Sequence, residues 1–203
     1  MQYQEFCDSA GFDVSRETFA RLELYAELLE KWQNSINLVS KNTLTDMWQR
    51  HFLDSAQLYP LVKEKTGTLA DIGSGAGFPG LVLAVLGIKD VHLVESDIRK
   101  AVFLREVARA CDAPVKVHAC RIEESPVRNA EIVTARALAA LPQLLDYAAP
   151  LLKEGGSCIF LKGQTAEEEV AAAQENWKFS IKKQPSITGD DGVVLVLEEI
   201  ARL

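Results

Sequence analysis

The sequence predicts an α/β fold: a mostly parallel sheet with helices on both faces, preceded by a helical extension. Three observations predict it. From residue 67 onward, short strand-like runs alternate with helical segments. Before that point the apolar residues recur only at helical spacing. Between the first strand and the first helix of the alternating part lies a glycine-rich loop, where doubly wound sheets hold a ligand.

The elements follow in order. Phe19, Leu22, Ala26, Leu29 and Ile36 mark a first helix, with Ser15 as its N-cap. A second helix fits 44–58, capped by Thr43, with Trp48, Phe52 and Leu58 on or near one face and Pro60 limiting its extension. Residues 59–67 form a connection. Strands are expected at 68–72, 91–95, 115–119, 132–134, 157–161, 179–183 and 193–200. Helices are expected from Pro79 to Leu86 and over 97–111, 141–152 and 165–176. Gly155 and Gly156 form a turn before the fifth strand, and 189–192 a turn between the last two, which pair antiparallel because their connection is short. This divides the chain into a helical extension, 1–66, and an α/β domain, 67–203.

Composition narrows the function. The chain has 203 residues, 48% hydrophobic and 25% charged, enough for a packed core and unlike a disordered chain. Residues 1–5 carry no basic n-region, so no secretory signal is expected. The longest apolar run, Leu81 to Leu86, is too short to span a membrane. Cys7, Cys111, Cys120 and Cys158 show no CxxC pattern and suit reduced thiols in the cytoplasm. His51, His92 and His118 lack metal-site spacing, so no metal is expected. A net charge of −7 argues against non-specific coating of nucleic acid. Residues 97–128 nevertheless hold seven Lys/Arg against five Asp/Glu, whereas 163–203 holds four against eight. Any nucleic-acid contact is expected from the middle of the chain.

The loop reads Asp71, Ile72, Gly73, Ser74, Gly75, Ala76, Gly77, Phe78, Pro79, Gly80. Gly75, Gly77 and Gly80 also satisfy the dinucleotide pattern GxGxxG, so the glycines alone do not choose a ligand. Asp71 discriminates: a carboxylate below a pyrophosphate repels it, whereas S-adenosylmethionine has no phosphate and carries an ammonium and a sulfonium. Glu95 ends the second strand, 22 residues after Gly73, where an acid accepts both ribose hydroxyls of either ligand. Ile122 and Glu123 follow the third strand; they suit an adenine contact or an ordinary solvated loop. Arg136 follows the fourth strand, where a guanidinium fits a carboxylate, a phosphate or a guanine edge, or simply caps a helix. Arg50, His51, Asp54 and Ser55 cluster at three- and four-residue spacing, as a wall of a site or as a contact between elements.

With these motifs the chain resembles the bacterial small-subunit ribosomal RNA guanine-N7 methyltransferases, the RsmG or glucose-inhibited division protein B family. The resemblance spans almost the whole sequence. It rests on Trp32 with Asn37 and Leu38, on Arg50 to Ser55, on Asp71 to Gly80, on Arg99, Lys100, Phe103 and Leu104, on Arg121 to Glu123, on Thr134 to Ala137, and on Leu161 to Gly163. Gln33 and Gln49 depart from the family pattern, outside the cofactor loop. The resemblance implies a class I methyltransferase sheet of seven strands with an antiparallel C-terminal strand. It implies S-adenosylmethionine contacts at Gly73, Gly75, Phe78, Glu95, Ile122, Glu123 and Arg136. It implies a guanine of 16S ribosomal RNA as substrate, within the small subunit, for a monomeric enzyme. Arg136 is then expected to position base or cofactor, with His51, Asp54 and Lys162 lining the entry. The rivals are an NAD-binding oxidoreductase and a non-catalytic RNA or ribosome-assembly factor on the same fold.

Overall fold

The computed structural model describes residues 1–189 and 191–203. Seven strands form one sheet: β1 (Leu69–Ile72), β2 (Val91–Val94), β3 (Val115–His118), β4 (Ala130–Arg136), β5 (Leu152–Lys162), β6 (Trp177–Pro185) and β7 (Val193–Arg202). Their order is β3-β2-β1-β4-β5-β7-β6. Strands β1 to β5 pair in parallel, and β7 runs antiparallel to both β5 and β6. The chain steps outward from β1 to β3 and then returns to β4. The strand order therefore reverses between β1 and β4, and their carboxyl ends open onto the crevice such a reversal creates.

Helices α1 (Tyr3–Ala10) and α2 (Arg16–Gln33) precede the sheet. They are followed by α3 (Asp54–Ala56), α4 (Tyr59–Val62), α5 (Gly80–Val85), α6 (Ile98–Ala110), α7 (Leu141–Ala148) and α8 (Ala166–Gln174). All four residues of β1 are buried, as a central parallel strand between two helical layers requires. One layer joins Leu69, Val91 and Leu93 to Leu81, Phe103 and Leu104, and to Phe6, Leu22 and Tyr25 of the extension. The other joins Ala70, Ile72 and Phe160 to Leu141, Leu144 and Val170. The N-terminal helices thus share a core with the sheet. No helix among the described residues is long and apolar enough to cross a membrane.

Several local expectations differ from the structure. Residues 3–10 form α1, whose apolar pair Phe6 and Cys7 is too short a pattern to read. The expected helix 44–58 is instead a bend and turn at 44–46, a π-helical segment at Trp48–Leu53, α3 and a turn at 57–58, preceded by a 3₁₀ turn at Lys41–Thr43. Thr43 caps none of them; its hydroxyl donates to Ser40 O at 2.8 Å. The wide π turn serves two sides at once, since Trp48 and Phe52 join the aromatic core while His51 and Asp54 line the crevice. Pro60 does not end a helix but sits in the first turn of α4, where its missing N–H costs nothing. Gly155 and Gly156 lie inside β5, and α7 stops at Ala148. Gly155 has φ +69°, a kink within the longer strand where sequence alone suggests a turn. The turn expected at 189–192 includes residue 190, which lies outside the described residues.

Candidate active site

A cavity of about 1060 Å³ opens at the carboxyl ends of β1, β2 and β4. Its floor is the loop after β1, which turns through positive φ at Gly73 (+64°) and Gly75 (+55°), angles that disfavour any residue with a Cβ. Glu95, 8% exposed, pins this floor. Its carboxylate accepts the Gly75 N–H at 2.8 Å and the Asp97 N–H at 2.7 Å, joining the turns after β1 and β2. Two of its four acceptor positions are used, leaving two for the hydroxyls of a ribose. A Cβ built at Gly75 meets only Gly73 O, at 3.8 Å, so the loop is open on its cavity side. Ile122 and Glu123 sit in a short 3₁₀ turn after β3 and line the same cavity, as do Gly73, Phe78 and Arg136. The cavity, the open glycine floor and the free acceptor positions of Glu95 fit an adenosyl cofactor with room for a base beside it.

Asp71 occupies a different place from the one expected. It is completely buried and does not line the cavity. Its Oδ1 accepts from Thr134 Oγ1 at 2.8 Å, and its Oδ2 has no hydrogen-bond partner among the described residues. Gly80 lies against it; a Cβ there would come within 2.5 Å of Asp71 Cβ. Burial raises the Asp71 pKa to about 6, opposed chiefly by the Thr134 hydrogen bond. The electrostatic discrimination placed on this carboxylate therefore does not act at the ligand. Asp71 braces strand, loop and α5 from below.

The raised pKa has a stability consequence. Between about pH 4 and pH 6 the folded state holds the Asp71 proton and the unfolded state releases it, so stability falls as pH rises through this window. Measured as the difference between wild type and Asp71→Asn, the loss is expected to be on the order of 2 kcal/mol from pH 4 to pH 6.5 and to level off above that. Denaturant melts across pH check it; a pH-independent difference would remove the assigned shift.

Arg136, the last residue of β4, is the hub of the opposite wall. It caps no helix. Its Nη1 donates to Arg50 O at 2.7 Å and to Asp54 Oδ2 at 3.3 Å, and its Nη2 pairs with His51 Nδ1 at 2.9 Å. The guanidinium also lies 5.0 Å from the Phe78 ring centroid. An arginine only donates, so His51 Nδ1 is the acceptor and the ring proton resides on Nε2. Nε2 then donates to Thr43 Oγ1 at 2.8 Å, and the Thr43 hydroxyl in turn donates a hydrogen bond to Ser40 O. Burial, with Arg136 and Arg50 nearby, lowers the His51 pKa to about 3. His51 is a neutral link in a fixed chain of hydrogen bonds. Asp54 extends the network: Oδ1 accepts from Thr188 Oγ1 and Gln57 Nε2, each at 2.9 Å, tying the extension to the segment after β6.

Lys162 lines the cavity, but its ammonium is committed to Glu169 Oε2 at 2.5 Å and to Ala139 O at 2.9 Å. Glu169 also accepts the Leu141 N–H at 2.8 Å, so Lys162 holds the start of α7 to α8. Gln33 acts on the other rim. Its Oε1 accepts the Leu38 and Val39 N–H groups at 2.9 and 3.0 Å, folding that turn into the cavity wall. Thr43, Gln57 and Thr188 escape sequence reasoning because each is a common polar residue whose partner is remote or backbone. Only the hydroxyl and amide types carried any signal.

This geometry has counterparts. The model of the rRNA small subunit methyltransferase G family matches residues 18–192. The chain belongs to the rRNA small subunit methyltransferase G family. It is 57% identical over 189 residues to "Ribosomal RNA small subunit methyltransferase G" of Paramagnetospirillum magneticum, covering 93% of this chain and 92% of that one. The protein so named in Rhodospirillum centenum is 55% identical, with 95% and 89% covered. Solved structures share the fold at low identity. A ribosomal protein L11 methylase of Lactobacillus delbrueckii subsp. bulgaricus superposes with a TM-score of 0.60 at 18% identity, over 75% of this chain and 78% of that one. A SAM-dependent methyltransferase of Aquifex aeolicus gives 0.59 at 13%, over 75% and 92%. Membership makes the chain an S-adenosylmethionine-dependent methyltransferase on the class I fold, which removes the oxidoreductase and the non-catalytic factor.

Proposed function

We propose that this enzyme methylates N7 of a guanine in 16S ribosomal RNA, acting as a monomer in the cytoplasm on the assembled small subunit. The N7 assignment rests on membership of the rRNA small subunit methyltransferase G family, and the occupied His51 supports a reaction that needs no base. The cofactor supplies an electrophilic methyl on a sulfonium. Guanine N7 has an in-plane lone pair and no proton to lose, so its attack needs no base. In keeping with that, the imidazole nearest Arg136 is neutral and its acceptor nitrogen already takes a guanidinium N–H. Rate then comes from orientation and exclusion of water.

Glu95, held in place by the Gly75 amide, fixes the ribose end, and Ile122 with Glu123 the adenine. Arg136 spends three N–H groups on protein partners, leaving its Nε–H and one Nη2–H for a ligand. A fork onto N7 and O6, the usual grip on guanine, would tie up the lone pair that must react. Arg136 is therefore assigned to the cofactor's carboxylate or to O6 alone. The acidic net charge of −7 favours a particle in which shape and other components supply contacts. Mass mapping of 16S RNA from cells with and without the gene tests the substrate: one guanine should lose a methyl, and an unchanged map refutes it. Small subunits should be methylated faster than naked RNA; equal rates refute the particle requirement.

A further inference from the structure

One polar atom reaches the glycine loop from the core side, and it comes from the N-terminal extension. Tyr25 of α2 is completely buried, and its hydroxyl donates to the carbonyl of Ala76. A phenylalanine would fill the same volume, and a buried hydroxyl is costly unless it is bonded. Its partner is a loop carbonyl one residue after the Gly75 amide that Glu95 holds. The segment 75–76 is thus gripped from two sides, by Glu95 at the cavity and by Tyr25 from below. The Tyr25 ring is parallel to Phe78, 5.4 Å between centroids with 6° between planes, and edge-on to Phe52 at 5.1 Å. Phe78 in turn stacks with His51 at 5.0 Å and carries the Arg136 guanidinium. The fit is close: a Cβ at Gly77, φ +98°, would land on the Tyr25 hydroxyl.

We propose that Tyr25 is a positioning residue for the cofactor: its hydroxyl fixes the Ala76 carbonyl and so sets the Gly75 amide that holds Glu95 and the Phe78 face that lines the cavity. The extension is then part of the cofactor site rather than an attachment to it. This rests on S-adenosylmethionine as the cofactor. Burial raises the Tyr25 phenol well above its usual pKa, so it remains a donor throughout the working range.

The test compares Tyr25→Phe with Tyr3→Phe. Tyr3 makes the same kind of bond, from its hydroxyl to Val14 O at 2.8 Å, also in the extension but at α1 rather than at the loop. Calorimetry with S-adenosylhomocysteine should show Kd for Tyr25→Phe raised roughly five- to twentyfold, with the cofactor KM rising in parallel. At saturating cofactor, kcat and the KM for small subunits should stay within about twofold of wild type. Hydrogen exchange without cofactor should accelerate at residues 75–78 in Tyr25→Phe alone. Tyr3→Phe should change none of these. A Tyr25→Phe protein that loses cooperative folding, or that melts lower with its cofactor affinity intact, makes Tyr25 an ordinary core residue and overturns the assignment. Failure of the wild type to bind S-adenosylhomocysteine would instead refute the cofactor itself.

Discussion

Arg136→Ala should lower kcat/KM for methyl transfer by roughly a hundredfold or more, the scale of loss expected when reacting groups are displaced by about 1 Å. The substitution deletes one side chain but strands three partners. Arg50 O, Asp54 Oδ2 and His51 Nδ1 all lose a donor. Asp54 is only 16% exposed at its side chain, so its carboxylate would be left half-buried without its cation. Arg136→Lys should rescue little, because an ammonium is a point charge that cannot span these three acceptors and still present a donor to the ligand. His51 provides an independent readout. Burial is the first cause of its lowered pKa and Arg136 the second, so in Arg136→Ala its titration by NMR should move up yet stay below the ordinary histidine range. S-adenosylhomocysteine binding and single-turnover transfer should be measured separately. Transfer at the wild-type rate would end the role assigned to Arg136.

Glu95→Ala should weaken S-adenosylhomocysteine binding by about a hundredfold, which two lost charge-assisted hydrogen bonds to ribose would account for. A further loss follows from the loop, since the Gly75 and Asp97 amides would lose the acceptor that orders them. Glu95→Gln is not a mild substitution here. Both carboxylate oxygens accept a backbone N–H, and an amide can offer only one oxygen, so its NH₂ would face either Gly75 or Asp97 donor to donor. Both variants should therefore be impaired, in Kd far more than in kcat at saturating cofactor. Calorimetry with an unchanged Kd for Glu95→Ala would sink the ribose assignment. Because Asp97 also caps α6 through the Arg99 N–H at 2.8 Å, both variants should fray the start of that helix, visible as faster hydrogen exchange at 98–101.

The parts of the site legible in sequence share one property: their signal is local. Gly73 and Gly75 are needed by the backbone turn itself, and Glu95 directly follows a strand whose apolar run is visible within ten residues. Ser15 caps α2 as expected, accepting the Thr18 N–H at 3.0 Å, because capping is settled within one turn. Interruptions were less legible. The segment 44–58 carries a helical apolar pattern, yet it is rewound as a π turn because Trp48 and Phe52 must meet Phe6, Phe19 and Tyr25 while His51 and Asp54 meet Arg136. None of those partners is near in sequence.

Read along the chain alone, periodicity and turn chemistry settle the alternation of strands and helices, the antiparallel final pair, the glycine floor, the acid after the second strand and, through its motifs, the family. These follow from periodicity, turn chemistry and residue type, which act over a few positions. What faces what emerges only in the folded chain. Asp71 turned out to lie beneath the loop with Thr134 and Gly80 rather than before the ligand, because side chains in a strand alternate and its neighbours Ala70 and Ile72 take the opposite core. Lys162 lies on the cavity wall but is spent on Glu169. Tyr25, indistinguishable in sequence from any aromatic on an apolar helix face, reaches across 51 residues to the loop. Orientation and charge pairing depend on distances between remote segments, and those distances exist only once the chain has folded.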